Sequence, residues 1–195
     1  MAVFREHTPK RQNIDRKVRS YQEHTDDLRN DFKNRCGYCN DIKIGNAAFE
    51  IDHFVPQNPH NFETTISSTD YSNLVYSCKS CNRAKSNKWP TNDENIHNKD
   101  NVGFIDPCDE DYNNQFKRED TGRILPNTEL GQWMYDELKL HKPQHEILWN
   151  LDQLDKTKKE ILEILNSRPI DNDIQKKLLA VYASYDEYLN KLTEF

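Results

Sequence analysis

Two Cys-x2-Cys pairs, Cys36 and Cys39 in CGYC and Cys78 and Cys81 in CKSC, constrain this chain more than any other feature of it. Four thiolates at that spacing can close a tetrahedron around zinc, each pair supplying two sulfurs from one tight turn. Two disulfides or four buried thiols are the alternatives. The N-terminal run MAVFREHTPKRQ is charged from its start and lacks the apolar stretch of a signal peptide. No apolar run approaches the ~18 residues a membrane span needs. A soluble, cytoplasmic protein is therefore expected, in which thiols stay reduced and zinc is the occupant. With four protein ligands such a site is a staple rather than a catalyst. Structural zinc binding is worth about 10–16 kcal/mol in small peptide sites. Cys108 is left over and reads as ordinary. The 38 residues between the pairs leave room for another element.

That element contains the stretch FEIDHFVPQ, residues 49 to 57. Phe49, Ile51, Phe54 and Val55 have the character of a half-buried strand, and Pro56 would end it. Asp52 and His53 sit side by side within it, and adjacent ionisable residues in a strand need partners. A second apolar run, NLVYSC (73–78), and a short helix, CNRAKSNK (81–88), follow. Taken singly, these residues have bland readings. Asp52 could cap a turn, His53 could be a core histidine, Asn82 could be an N-cap, and Asn73 a turn residue. Lys79, Arg83, Lys85 and Lys88 could be a solvated face. Together they offer what phosphodiester hydrolysis needs: a group that takes a proton from water near neutral pH, as His53 can, and hard oxygens, from Asp52 and Asn82, suited to magnesium or manganese.

The order CxxC, Asp52-His53, Asn73-Leu74, CxxC, then Asn82 and Lys85, resembles the HNH endonuclease family over roughly residues 19–90. NRAKS (82–86) is similar to the HNH domain of CRISPR effector nucleases, which also have Asn where many relatives have His. The resemblance implies an α+β fold with a small ββα-metal core, made of strand 47–55, strand 73–78 and helix 81–88. It implies hydrolysis of DNA, with RNA not excluded, leaving a 5′-phosphate and a 3′-hydroxyl. On that pattern His53 is the general base, and Asp52 and Asn82 hold one Mg2+ or Mn2+ ion. Asn73 then braces the loop that orients the base. Lys85, one turn from Asn82, is expected to reach the phosphate, with Lys79, Arg83 and Lys88 beside it. The entry LRNDFKNRCGYC, the segment YSNLVYSC and a helical tail look like the small HNH proteins of Septu-type anti-phage systems, which implies an ATPase partner. The alternative is a zinc-stabilised, non-catalytic nucleic-acid-binding or scaffold module.

Charge supports a local nucleic-acid surface. The chain has a net charge of −6, but residues 1–90 carry 14 Lys and Arg against 11 Asp and Glu, and residues 91–195 carry 13 against 22. Residues 71–90 contain no acid, and local potential is what a phosphate backbone meets. Around the core, the 3.6-residue spacing of Val18, Tyr21, Thr25, Leu28 and Phe32 predicts a helix over 14–35. Residues 1–90 are thus expected to form an N-terminal helix plus nuclease core, and 91–126 an irregular connection with a possible hairpin at 115–125. Residues 127–195 are expected to form a helical region, with one helix around Leu130–Leu138 and a helical hairpin broken at Arg168-Pro169 and recapped by Asp171. The clustered Tyr182, Tyr185 and Tyr188 are expected to pack this helix pair on the nuclease core, with docking of a protein as the alternative. His60, His97, His141 and His145 match no motif and are read as structural or exposed.

Overall fold

The computed structural model describes residues 2–45, 49–167 and 172–194. In chain order the elements are β1 (Ala2–Val3), α1 (Thr25–Asp31), β2 (Phe49–His53), β3 (Leu74–Cys78), α2 (Lys79–Lys85), β4 (Asn98–Lys99), β5 (Val102–Gly103), β6 (Phe116–Arg118), β7 (Ile124–Pro126), α3 (Glu129–Glu137), α4 (Pro143–Ser167) and α5 (Asn172–Leu192). Short 3-10 helices occupy Tyr21–His24, Tyr71–Asn73 and Glu110–Gln115.

The first helix is shorter than its apolar stripe predicts. It opens at the 3-10 turn, where Ser20 accepts from the Gln22 N–H and the Glu23 carboxylate reaches back to the backbone N–H groups of Ser20 and Arg19, a capping box. Residues 14–19 stay outside it because tertiary bonds hold the chain upstream. Asp31 accepts from both the backbone N–H and the side-chain amide of Gln12, at 2.8 and 2.7 Å. Arg11 donates to the Leu74 carbonyl at 2.6 Å and pairs with Asp106 at 2.9 Å. Leu28 and Phe32 are the buried part of the stripe. Beyond α1, Gly37 admits a close approach: a Cβ there would lie 2.7 Å from the Phe32 ring and 2.8 Å from Val75.

β2 and β3 pair antiparallel, with Asp52 opposite Val75 and His53 opposite Leu74. α2 follows β3 without a loop and ends where Ser86 turns to a positive φ of 51°. It starts two residues earlier than the sequence suggests. β2 covers 49–53 of the expected strand, and residues 47–48 lie outside the described residues. The connection after residue 90 is not wholly irregular. It carries the two-residue hairpin β4–β5, and it buries Phe104, Ile105 and Tyr112. The expected second hairpin is β6–β7, which β1 joins in a three-stranded antiparallel sheet.

A buried ionic knot ties this sheet and the C-terminal helices to the first cysteine pair. Arg118 is wholly buried. It donates to the carbonyls of Gly122 at 2.6 Å and Cys39 at 2.8 Å, and its Nη2 lies 3.6 Å from Asp41. The other oxygen of Asp41 is 2.6 Å from His145 Nδ1, near the start of α4. Burial lowers the Arg118 pKa, and the facing Asp41 opposes that shift. α4 buries Ile147 and Leu151 near this anchor. Asp152 then pairs with Arg35 at 2.7 Å and Lys156 with Glu6 at 2.9 Å. Farther along, the main neighbour of α4 among the described residues is α5. Lys158 Nζ lies 5.7 and 5.5 Å from the ring centres of Tyr182 and Tyr185, a pairing of positions about equally far from the intervening residues, as in an antiparallel hairpin. The break at Arg168-Pro169 and the cap at Asp171 lie outside the described residues. No described residue of α5 is buried, and Leu179 and Tyr182 are exposed. The tyrosines therefore do not form the expected core with the nuclease domain: among the described residues the main neighbour of α5 is α4.

The knot makes a stability prediction. Replacing Arg118 with Met keeps much of the volume but leaves the Asp41 charge buried with only His145, at a cost of about 3–5 kcal/mol. Urea unfolding of the two proteins measures it, and a variant as stable as the parent would remove the knot from the fold's foundations.

Candidate functional site

The four cysteines meet. The Sγ atoms of Cys36, Cys39, Cys78 and Cys81 all lie within 4.8 Å of one another. Those of Cys39 and Cys78 are 3.8 Å apart, far beyond the ~2.05 Å of a disulfide. The second pair is arranged by α2 itself: Cys78 is its N-cap residue, and its sulfur accepts from the Cys81 N–H at 3.4 Å. In the first pair the Asn40 N–H closes a turn onto the Cys36 carbonyl at 2.9 Å. Burial raises the thiol pKa of Cys36, but hydrogen bonds from the other three sulfurs outweigh it and hold Cys36 well below the usual thiol range. Four cysteine sulfurs gathered in one mostly buried nest, the thiol of one of them held below its usual range by the others, fit zinc. These four residues would hold the ion with no open position.

Asp52 and His53 are the last two residues of β2, the first buried and the second half-buried. Asp52 turns inward. Tyr38, in the middle of the first cysteine pair, donates its hydroxyl to Asp52 Oδ2 at 2.5 Å, and Lys85 Nζ is 3.1 Å from the same oxygen. Burial pushes the Asp52 carboxyl above the usual range, with Lys85 and then Tyr38 pulling it down. Among the described residues, no hydrogen bond engages Oδ1. Asn82 lines the same open cleft with Asp52 and His53. Its amide nitrogen donates to Glu50 Oε2 at 2.7 Å. A carboxylate can only accept from it, so the Asn82 carbonyl oxygen is the atom left over. One carboxylate oxygen and one amide oxygen are a hard donor set, which fits Mg2+ or Mn2+ with water and phosphate completing the shell.

His53 is clamped on its other edge. Its Nε2 lies 2.8 Å from the Ser68 carbonyl, and its ring meets that of Tyr21 edge-on, with centres 4.8 Å apart. A carbonyl accepts, so Nε2 carries the proton and the neutral ring keeps its lone pair on Nδ1. Asn73 grips the backbone just past His53: its Oδ1 accepts from Val55 N–H at 2.8 Å and its Nδ2 donates to Val55 C=O at 3.0 Å. Its own carbonyl accepts from Phe54 N–H at 2.8 Å.

The basic residues divide. Lys79 and Arg83 are exposed, and Lys88 is half-buried and paired with Glu137 at 2.6 Å. Lys85 is wholly buried, spending its ammonium on Asp52 and on the His53 carbonyl at 2.9 Å. The expectation that Lys85 reaches the phosphate is therefore replaced: its turn of α2 faces the core, and it bridges the backbone of His53 to the side chain of Asp52. Sequence reasoning missed four neighbours. Tyr38 and Glu50 had signals, one inside the cysteine pair and the other two residues before Asp52 on the same strand face. Tyr21 and the Ser68 carbonyl had none.

A strand pair and helix carrying this histidine, carboxylate and asparagine on a four-cysteine frame is the ββα-metal type of domain. Residues 36–88, from the first cysteine to Lys88, match the family model described as HNH endonuclease. The chain is also similar to the Septu protein PtuB of Bacillus mycoides (strain KBAB4), 31% identical over 114 residues. That match takes in 50% of this chain, which spans 39% of the relative's length. No solved structure gives a significant match.

Two measurements follow from this geometry. Elemental analysis should find one zinc per chain, and Cys36→Ser should lose it together with cooperative unfolding; a zinc-free protein with unchanged melting would contradict the frame. Asn73→Ala strands a buried N–H and C=O of Val55, costing about 1–3 kcal/mol. An unchanged urea midpoint would exclude that brace.

Proposed function

We infer that the chain is a divalent-metal-dependent endonuclease that hydrolyses DNA phosphodiester bonds, working in the cytoplasm in defence against phage. The observation that carries this reading is the His53 imidazole, which lines one cleft with Asp52 and Asn82, has its Nε2 spent on the Ser68 carbonyl and, among the described residues, makes no hydrogen bond through Nδ1. In that setting His53 takes the proton of the attacking water through Nδ1. Asn73 holds the Phe54–Val55 backbone so that the ring keeps its place. Asp52 Oδ1 and the Asn82 carbonyl oxygen would hold Mg2+ or Mn2+, which when bound neutralises charge on the scissile phosphate. Lys79 and Arg83 contact the phosphates on either side. Zinc at the four cysteines serves the fold alone. Residues 1–90 form the nuclease unit, and 127–195 a helical unit that serves other contacts.

The similarity to PtuB supports the defence setting, and the resemblance to Septu systems supports an ATPase as partner. An exposed apolar stretch on the C-terminal hairpin is consistent with such a contact.

Supercoiled plasmid incubated with Mn2+ or Mg2+ tests the reading. Cleavage should vanish in chelator and fall by about 10²–10⁴-fold in His53→Ala, the usual worth of a general base. If the zinc-loaded protein cleaves nothing, alone or with any ATPase encoded beside it, it is a non-catalytic binding module instead.

A further inference from the structure

The segment before α1 carries charge that the nuclease reading does not use. Residues 10–19 read KRQNIDRKVR, with five bases and a single acid, Asp15. The segment is not a loose leader. Asp31 pins Gln12 by two hydrogen bonds, and the same carboxylate accepts from the Tyr71 hydroxyl at 2.7 Å. Arg11 is fastened to Leu74 and Asp106. The fastening lays residues 10–16 along the stretch 69–72, and the two walls enclose an open groove. Residue 68, at the end of the facing wall, gives its carbonyl to His53, and Tyr21, just past the segment, packs against the His53 ring. Both walls therefore run to the imidazole.

The bases differ in what they are free to do. Arg11 is committed to its internal partners, and Arg16 pairs with Asp27 at 2.6 Å and donates to the Glu23 carbonyl. Lys10, Lys17 and Arg19 are exposed and have no ion pair among the described residues. Asp70 is the acid on the facing wall, and it is spent on the Ser72 hydroxyl and N–H. These three cations lie on a segment anchored at Arg11, Gln12 and Arg16, Lys10 on the groove and Lys17 and Arg19 toward Tyr21, and they match a run of phosphates in charge.

Resting on the nuclease reading, we propose that residues 10–19 are a second track for the nucleic-acid backbone, approaching His53 from the Tyr21 side. Lys79 and Arg83 serve the other side, on the helix that carries Asn82. The track reads charge and not sequence, because its contacts go to phosphate. Substrate thus lies across the imidazole from two basic walls, which accounts for a nucleic-acid enzyme whose net charge is −6.

The test is binding without cleavage. His53→Ala protein, in chelator that leaves its zinc in place, is titrated by fluorescence anisotropy with duplex DNA and with an RNA hairpin of equal length, over a range of salt. Lys17→Glu/Arg19→Glu should weaken binding by about tenfold and reduce the log–log salt slope on duplex DNA by roughly 1.8. Lys176→Glu/Lys177→Glu on α5 makes the same change in net charge and should bind as the parent does. Melting temperature and zinc content confirm that both variants are folded. Loss on both nucleic acids, or on one, supports the track and names its ligand. Parent-like binding by the 17/19 variant overturns the track and leaves the nuclease reading intact, as does an equal loss in both variants. If the parent binds neither nucleic acid, the nuclease reading fails and the track falls with it.

Discussion

Four sulfur atoms within 4.8 Å of one another join two segments that are separated by 38 residues of chain. That convergence sets where everything near the site can go. The first pair carries Tyr38, whose hydroxyl holds Asp52. The second pair opens α2, and so places both Asn82 and Lys85. Because such a site is not preformed in the unfolded chain, metal binding at these sulfurs would add its free energy to folding. A short two-stranded sheet, marginal by itself, becomes a firm base for two reactive side chains.

Charge inside this frame is shared out closely. Lys85 is a cation with no exposure to water, and it is tolerated because Asp52 and the His53 carbonyl surround its ammonium. The same contact leaves one Asp52 oxygen occupied and one available. Glu50 acts likewise on Asn82, fixing which end of the amide faces the cleft. Each candidate ligand is thus oriented by a partner that takes its other atom, the arrangement that keeps a site in shape before anything binds. The neutral tautomer of His53 is set in the same way, by a backbone carbonyl rather than by a charge.

The chemistry-bearing residues were legible because their types are rare in those places: paired cysteines, adjacent ionisable residues at the end of a strand, an asparagine opening a helix after a cysteine. The family match at residues 36–88 falls on the stretch that the resemblance marks. What the sequence concealed was direction and competition. Helical spacing could put Lys85 one turn from Asn82 but could not say that this turn faces inward. The apolar stripe from Val18 predicted a helix from residue 14, but the chain just before it is tied down at Arg11 and Gln12 by Leu74 and Asp31, contacts distant in sequence, and the helical turns begin only at Tyr21. The buried set of Arg118, Asp41 and His145 was likewise invisible, since three single residues from separate regions carry no pattern.

That buried set has a mechanical side. α4 runs unbroken through 25 residues, so it is about 37 Å long, and its packing against the rest of the protein is concentrated at one end. Its first turns hold His145 on Asp41, beside the Arg118 that grips the Cys39 carbonyl. Asp152 and Lys156 add ties to Arg35 and Glu6, and beyond them the described part of α4 packs chiefly on α5. A rod fixed near one end is a lever. Load applied to the distal hairpin arrives as torque on the cysteine turn that carries Tyr38, and through Tyr38 on the carboxylate at the heart of the cleft.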